Sequence, residues 1–384
     1  MVTAQPRRSV TGNLQPFVDS HTLAGAVTLA ASKDKVLSLE AVGYADIAAR
    51  ESMKTDALFW IASMSKPMTA TAMMMLVDEG KVSLDDPVEK YLPEFKGQML
   101  AVEQDPNHVW LKKPRRPITV RDVLSHTSGL PFASRVEPKI DLHPLREAAI
   151  SYALTPLKFE PGSKYEYSNA GINTAGRIIE VVSGVPYEEF MDSRLFRPLG
   201  MTDTTFWLTA AQVKRLAKSY RPNAARNGLD ETEISQLSYP LTDQKRGPSP
   251  AGGLFSTAAD ISIFCRMILN GGVHEGRRYV SAAAVREMTS TQTGYLLDKD
   301  KGESGYGLGW STSRKAGDSD SAIPGPCGHG GAYGTQMRID PQRGLITVFL
   351  VQHAGYPGTS GDKIHSAFVD AATELFGPPD RSLK

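Results

Sequence analysis

Hydrophobic and polar positions fall into two patterns along the chain. Near both ends the apolar runs are short and strand-like. Ala24–Ala31 and Val36–Val42 flank a polar turn around Lys33–Lys35 and predict an antiparallel hairpin. Thr335–Ile339 and Leu345–Gln352, with Asp340–Gly344 between them, predict a second strand pair, and Lys363–Phe376 predicts a closing helix. Between the ends, apolar residues recur at helical spacing. Ile118–Ser125, Leu145–Leu154, Ser168–Ser183, Tyr187–Leu195, Thr257–Leu269 and Ser281–Thr289 read as helices. Thr119 with Asp122, and Ser256 or Thr257, serve as N-caps, and Gly or Pro stops follow. Residues 96–117 are polar, carry several prolines, show no period and read as loop.

One segment departs from both patterns. Phe59–Val77, FWIASMSKPMTATAMMMLV, is apolar on nearly every face, and Gly80 closes it. A helix that is hydrophobic all round belongs in a core. If it starts near Ser63, Lys66 lies one turn along on the same face.

The predicted fold class is α+β: one antiparallel sheet built from both chain ends and flanked by helices, with a helix-rich lobe. The corresponding division is residues 12–75 with 250–384 as the sheet domain and 76–249 as the helical one. Composition fits, since 384 residues that are 41% hydrophobic and 22% charged can bury a large core. A net charge of +1 gives no general attraction to nucleic acid or anionic membrane. The basic cluster Lys112, Lys113, Arg115 and Arg116 reads as a solvated loop. No segment approaches a membrane span. The first residues lack the apolar stretch of a signal peptide, so the expectation is a soluble protein, cytoplasmic or exported with its signal removed. Cys265 and Cys327 sit in no metal or redox motif, and their pairing is open. The expected partner is a small-molecule ester or amide, with no nucleic acid; oligomeric state is open.

Ser-x-x-Lys occurs at Ser32/Lys35, Ser63/Lys66 and Ser360/Lys363. Ser32 lies at a hairpin turn. Ser360 precedes the last helix, where a cap with a solvated lysine is the simpler reading. Only the Ser63 pair has apolar sequence on both sides. A serine hydroxyl needs a base, and a lysine serves if burial lowers its pKa. The competing reading is an N-cap serine and a snorkelling lysine.

A set of motifs then tips the balance. SMSK before the apolar helix, HTSGLP at 126–131, PGSKYEYSNAG at 161–171, RPLGM at 197–201, AGGLFSTAADISIF at 251–264 and YGLGW at 306–310 follow in this order. Together they resemble the serine beta-lactamase and penicillin-binding-protein superfamily, in the branch with class C beta-lactamases, D-aminopeptidases and beta-lactamase-like carboxylesterases. The resemblance runs from about residue 20 to 375. It implies that Ser63 is the nucleophile, that Tyr167 of Tyr167-Ser168-Asn169 shares proton transfer with Lys66, and that Asn169 orients the substrate and Lys66. By the same match His329-Gly330-Gly331 stands where lactamases of the branch carry Lys-Thr-Gly, and the N–H groups of Ser63 and Ala332 form the oxyanion hole.

Read without the resemblance, Tyr167 is a half-buried aromatic, Asn169 a cap and His329 a turn histidine among glycines; the close backbone approach those glycines allow, and the edge-forming strand that follows, favour a site role for His329. His126 reads as a structural hydrogen-bonder at a helix end. Trp310 and Tyr333 suit either a pocket or a core. No metal, cofactor, nucleophile-elbow or nucleotide-binding motif is present. A histidine in place of lysine offers a substrate carboxylate little charge at pH 7. The sequence therefore points to a serine hydrolase on short-chain esters, with weak beta-lactam hydrolysis. The alternatives are a D-stereospecific peptidase or amidase, a beta-lactamase, or a non-catalytic penicillin-binding or structural homologue.

Overall fold

The computed structural model describes residues 9–134, 136–296, 305–313, 325–358 and 361–377. Among them, the central feature is a sheet of eight strands. In chain order these are β1 (Gly25–Ala31), β2 (Val36–Asp46), β3 (Glu51–Ser52), β4 (Gly305–Tyr306), β5 (Ser311–Thr312), β6 (Cys327–Gly330), β7 (Gln336–Asp340) and β8 (Leu345–Leu350). Their spatial order is β4-β5-β6-β7-β8-β1-β2-β3, and every pairing is antiparallel. The β1–β8 pair, with Leu29 opposite Val348, joins the first third of the chain to the last. Both chain ends thus build one sheet, as the strand patterns predict.

β1 is buried at every residue because it is central and covered on both sides. Val27, Leu29 and Ala31 face one side with Ile346, Val348 and Leu350, against helix Ala258–Leu269. Ala26 and Ala30 face the other with Phe349, against Ile364 and Phe368 of the final helix, Gly361–Phe376. The first cluster continues past the sheet into the helical region. The link is α1 (Ser65–Asp78), buried from Ser65 to Leu76. Its neighbours include α2 (Val120–Leu124), capped by the reciprocal Thr119/Asp122 box, α3 (Leu145–Ala153) and α4 (Asn169–Ser183), capped by Ser168.

Several expectations need correction. Residues 96–117 are not all loop, because Leu100–Gln104 pairs with Val109–Lys112. The Asp105 carboxylate accepts the N–H groups of Asn107 and His108 and makes the turn. Leu100 is buried, but Val102, Val109, Trp110 and Leu111 are exposed, so they leave no in-and-out alternation to read. Helix Tyr187–Leu195 ends at Met191 and continues as a wider turn over Asp192–Phe196. The strand after His329 is not an edge: β7 lies inside the sheet, because β4 and β5 extend it beyond β6. Trp310 and Tyr333 are core residues, Trp310 stacked on Phe264 and Tyr333 edge-on to Trp60. Cys265 and Cys327 are both buried and unpaired. Ser32 closes the β1–β2 turn through Lys35, and Ser360 lies outside the described residues.

Candidate active site

The chain reaches Ser63 through a strained corner. Phe59–Trp60 pairs with Phe255–Ser256, Ala62 takes φ +45°, and a tight turn over Ala62–Met64 leads into α1. Left-handed backbone is unfavourable for alanine and persists only where its surroundings over-determine it. Here the Trp60 indole N–H donates to Gly252 O at 2.7 Å, and Ile61 N–H donates to Leu254 O at 3.0 Å. The Ser65 hydroxyl donates to Ala62 O at 2.7 Å. Ser63 therefore lies in the turn just ahead of the α-helix, not within it. Its side chain caps nothing and stays half-exposed.

Lys66 is fully buried, with Nζ 2.9 Å from Ser63 Oγ and 2.6 Å from the carbonyl of Ala251. Among the described residues no carboxylate pairs with it. Burial without a counter-charge holds the amine well below the ordinary lysine range. A neutral amine can keep one N–H on Ala251 and turn its lone pair to the Ser63 hydroxyl. The Tyr167 ring lies 4.7 Å from Nζ. Burial pushes the Tyr167 phenol up, and the neighbouring Ser63 hydroxyl pulls it part of the way back. Asn169 opens α4 without capping it. Its amide oxygen is buried and has no partner among the described residues.

β6 brings His329 to the same place. The ring packs 6.2 Å from that of Tyr167, and burial together with the nearby Lys66 lowers its pKa to about 3. Nδ1 is 2.7 Å from Gly330 O and Nε2 is 2.9 Å from the Tyr306 hydroxyl. A carbonyl only accepts, so Nδ1 carries the proton and Nε2 accepts from Tyr306. His329 is a neutral ring with both nitrogens engaged.

Gly331 follows, tucked against the corner. A Cβ there would lie 2.5 Å from Ile61 O and 2.1 Å from Thr335 Oγ1, so only glycine fits. This contact seats Gly331-Ala332 against the Ile61–Ser63 turn. Among the described residues, neither the Ser63 nor the Ala332 N–H donates to a backbone carbonyl. Ser63, Lys66, Tyr167 and His329 are thus drawn together, Gly330, Gly331 and Ala332 follow His329 on the segment that meets the Ser63 turn, and Asn169 opens α4 two residues after Tyr167.

Three participants escape a reading of the sequence, and His126 acts as the structural hydrogen-bonder that the sequence suggests. Tyr306 sets the state of His329. Ala251 supplies the carbonyl for Lys66. Asn173 accepts the Ala251 N–H at 3.0 Å and donates to the Tyr152 hydroxyl at 2.9 Å, and Tyr152 donates to Glu137 at 2.7 Å. His126, at φ +61°, accepts the Ser168 N–H on Nδ1 and packs 4.4 Å from Tyr167 and 4.5 Å from Tyr306. The signals were thin: Tyr306 opens YGLGW, and Asn173 stands one turn after Asn169 on the same helix face.

Comparison with known proteins fits this geometry. The chain belongs to the beta-lactamase family, whose model matches residues 10–370. Protein Rv1367c of Mycobacterium tuberculosis (strain ATCC 25618 / H37Rv) is 34% identical over 96% of this chain and 92% of its own. Esterase EstB of Burkholderia gladioli is 30% identical over 88% of each. Among solved structures, EstCE1, described as a hydrolase with promiscuous acyltransferase activity, superposes with a TM-score of 0.78 at 25% identity, covering 94% of this chain and 97% of its own. These relationships define a serine hydrolase with the beta-lactamase fold. No helix among the described residues is long and apolar enough to cross a membrane.

Proposed function

We propose that the chain is a carboxylesterase that hydrolyses short-chain esters through an acyl-enzyme on Ser63. The observation that carries the choice of ester is the state of His329, neutral and engaged at both nitrogens. A substrate held by its carboxylate, such as a peptide ending in a free D-amino acid or a beta-lactam acid, meets no cation there. A neutral ester needs none. The similarity to an esterase and to a hydrolase that transfers acyl groups supports the same reading.

In this reading the neutral Lys66 amine takes the Ser63 proton as Oγ attacks the ester carbonyl. The oxyanion is met by the N–H groups of Ser63 and Ala332. As the carbon–alkoxy bond breaks, the Tyr167 hydroxyl, relayed from Lys66, protonates the leaving alcohol. Water then attacks the acyl group by the reverse route, releasing the acid and restoring Ser63. Asn169 turns its free amide oxygen to the substrate's acyl side or to Lys66.

A panel of p-nitrophenyl esters, D-alanyl amides and a chromogenic cephalosporin tests the choice. The ester rate is expected to exceed both others. A cephalosporin or amide rate equal to it would overturn the esterase assignment. Fluorophosphonate labelling of the wild type, lost in Ser63→Ala with the fold intact by circular dichroism, tests the nucleophile; a folded wild type that takes no label would remove the enzyme reading.

A further inference from the structure

We propose that the hairpin Leu100–Lys112 is a docking element for the anionic headgroup face of a lipid bilayer. Val102, Val109, Trp110 and Leu111 are each between 45 and 49% exposed, four large apolar side chains within ten residues. Two-stranded hairpins bury little by themselves, and monomeric proteins seldom leave such a cluster open without a use. The hairpin carries Glu103 and Asp105 on its first strand and turn, and basic residues end its second strand and follow it. Lys112 is paired with Glu160 at 3.2 Å and Arg116 with Asp122, whereas Lys113 and Arg115 have no ion-pair partner among the described residues. Tryptophan and leucine next to unpaired lysine and arginine is the composition of a surface that enters the headgroup region and holds anionic lipid.

The hairpin is also tied to the mouth of the site. Strand Leu100–Gln104 bonds to Leu157, through Ala101 N–H to Leu157 O at 2.9 Å and Leu157 N–H to Met99 O at 2.8 Å. Glu160, which holds Lys112, also accepts the Arg115 N–H at 2.8 Å. The same segment runs on to Tyr165 and Tyr167. Tyr295, 69% exposed, donates to Gly162 in that segment, and Phe132, 51% exposed, stacks on Tyr167. The segment that anchors the hairpin therefore also carries exposed aromatic contacts at the rim of the site. A bilayer under the hairpin would present esters dissolved in it to Ser63. That last step rests on the esterase reading; the docking itself does not.

The test uses the full chain and no substrate. Co-sedimentation is measured with vesicles of phosphatidylcholine and phosphatidylglycerol at two to one, and with phosphatidylcholine alone. Binding is expected to the anionic vesicles only, with a blue shift of tryptophan emission that Trp110→Ser removes. Lys113→Gln with Arg115→Gln should weaken it roughly tenfold. Trp110→Ser and Leu111→Ser should keep the wild-type circular dichroism spectrum and thermal midpoint, which shows that they fold. No sedimentation with anionic vesicles, or sedimentation that the folded variants do not reduce, would overturn the proposal. So would a concentration-dependent dimer that Trp110→Ser dissociates, because the hairpin would then be covered by a second copy.

Discussion

The Tyr306 hydroxyl lies 2.9 Å from His329 Nε2, and through this bond a tyrosine at the sheet edge sets the tautomer of a histidine beside Ser63. Replacing it with Tyr306→Phe leaves a buried Nε2 with no donor. A buried group stripped of its partner costs about 1–3 kcal/mol. Denaturant unfolding should show a loss of that size, and ester hydrolysis should fall while Ser63 still labels with fluorophosphonate. An unchanged midpoint and rate would mean that the bond is dispensable.

His329 holds a pKa of about 3, so it is neutral throughout the range in which such an enzyme is assayed. Its titration should leave no limb in the pH–rate profile between about pH 5 and 8. His329→Gln should keep the shape of that profile whatever its absolute rate; a limb that vanishes in this variant would show that the histidine titrates there. His329→Lys should raise cephalosporin turnover relative to ester turnover, because it places a cation where a carboxylate would bind.

Lys66 should supply the acid limb instead. Its pKa is far below 10.5 because the amine is buried without a counter-charge. The rate should rise with pH through that depressed value, as the amine becomes a base. Stability follows the same sign. Between the depressed pKa and 10.5 the unfolded chain binds the extra proton, so stability of the wild type rises with pH across this window. Lys66→Met should abolish turnover and stabilise the fold at neutral pH by about 1–2 kcal/mol. Calorimetry of the two proteins checks this, and a Lys66→Met midpoint below the wild type would contradict it.

Asn173 touches neither Ser63 nor Lys66 in any hydrogen bond but holds Ala251, whose carbonyl receives the Lys66 amine. Asn173→Ala strands the Ala251 N–H and loosens that carbonyl. The expected outcome is a loss of about 1–3 kcal/mol in stability and a fall in kcat with KM little changed. The acid limb of the pH profile should shift as the surroundings of Lys66 change. A merely structural role would lower stability and leave that limb in place.

Gly331→Ala puts a methyl group into the Ile61 carbonyl and the Thr335 hydroxyl. The turn carrying Ala332 must back away from Ser63. Loss of one oxyanion donor typically costs roughly a hundredfold or more in kcat, and a drop of that order is expected with global stability reduced by less. Full activity in a folded Gly331→Ala protein would separate this turn from the chemistry.

Much of the architecture was legible because its causes are local. The Thr119/Asp122 box, the Thr257 cap, the β1–β2 and β7–β8 strands and the all-round burial of α1 follow from capping chemistry and apolar period, whereas the cap of α4 is Ser168 and not Asn169. The hairpin at Leu100–Lys112 was hidden because Val102, Val109, Trp110 and Leu111 face solvent, which erases the pattern that reports a strand. The inner position of β7 was hidden because sheet order depends on β4 and β5, which are only two residues each. The site was legible where short spacing along the chain does the placing, as for Ser63 in the turn and Lys66 at the start of α1. It was illegible where partners come from remote segments, as for Tyr306, Ala251 and Asn173.

The sequence by itself determined the family, the α+β class and the order of candidate chemistry, since motif identity and apolar period are properties of neighbours along the chain. Only the tertiary structure decided the charge states. Lys66 has an unusual proton affinity because the folded core excludes water and brings no carboxylate to it. His329 is neutral because burial in the folded core and the nearby Lys66 disfavour its charged form, while Tyr306 and Gly330 fix which nitrogen carries the proton. Proton affinity depends on what surrounds a group in space, and that is settled when the sheet, the corner at Ala62 and α1 close on one another.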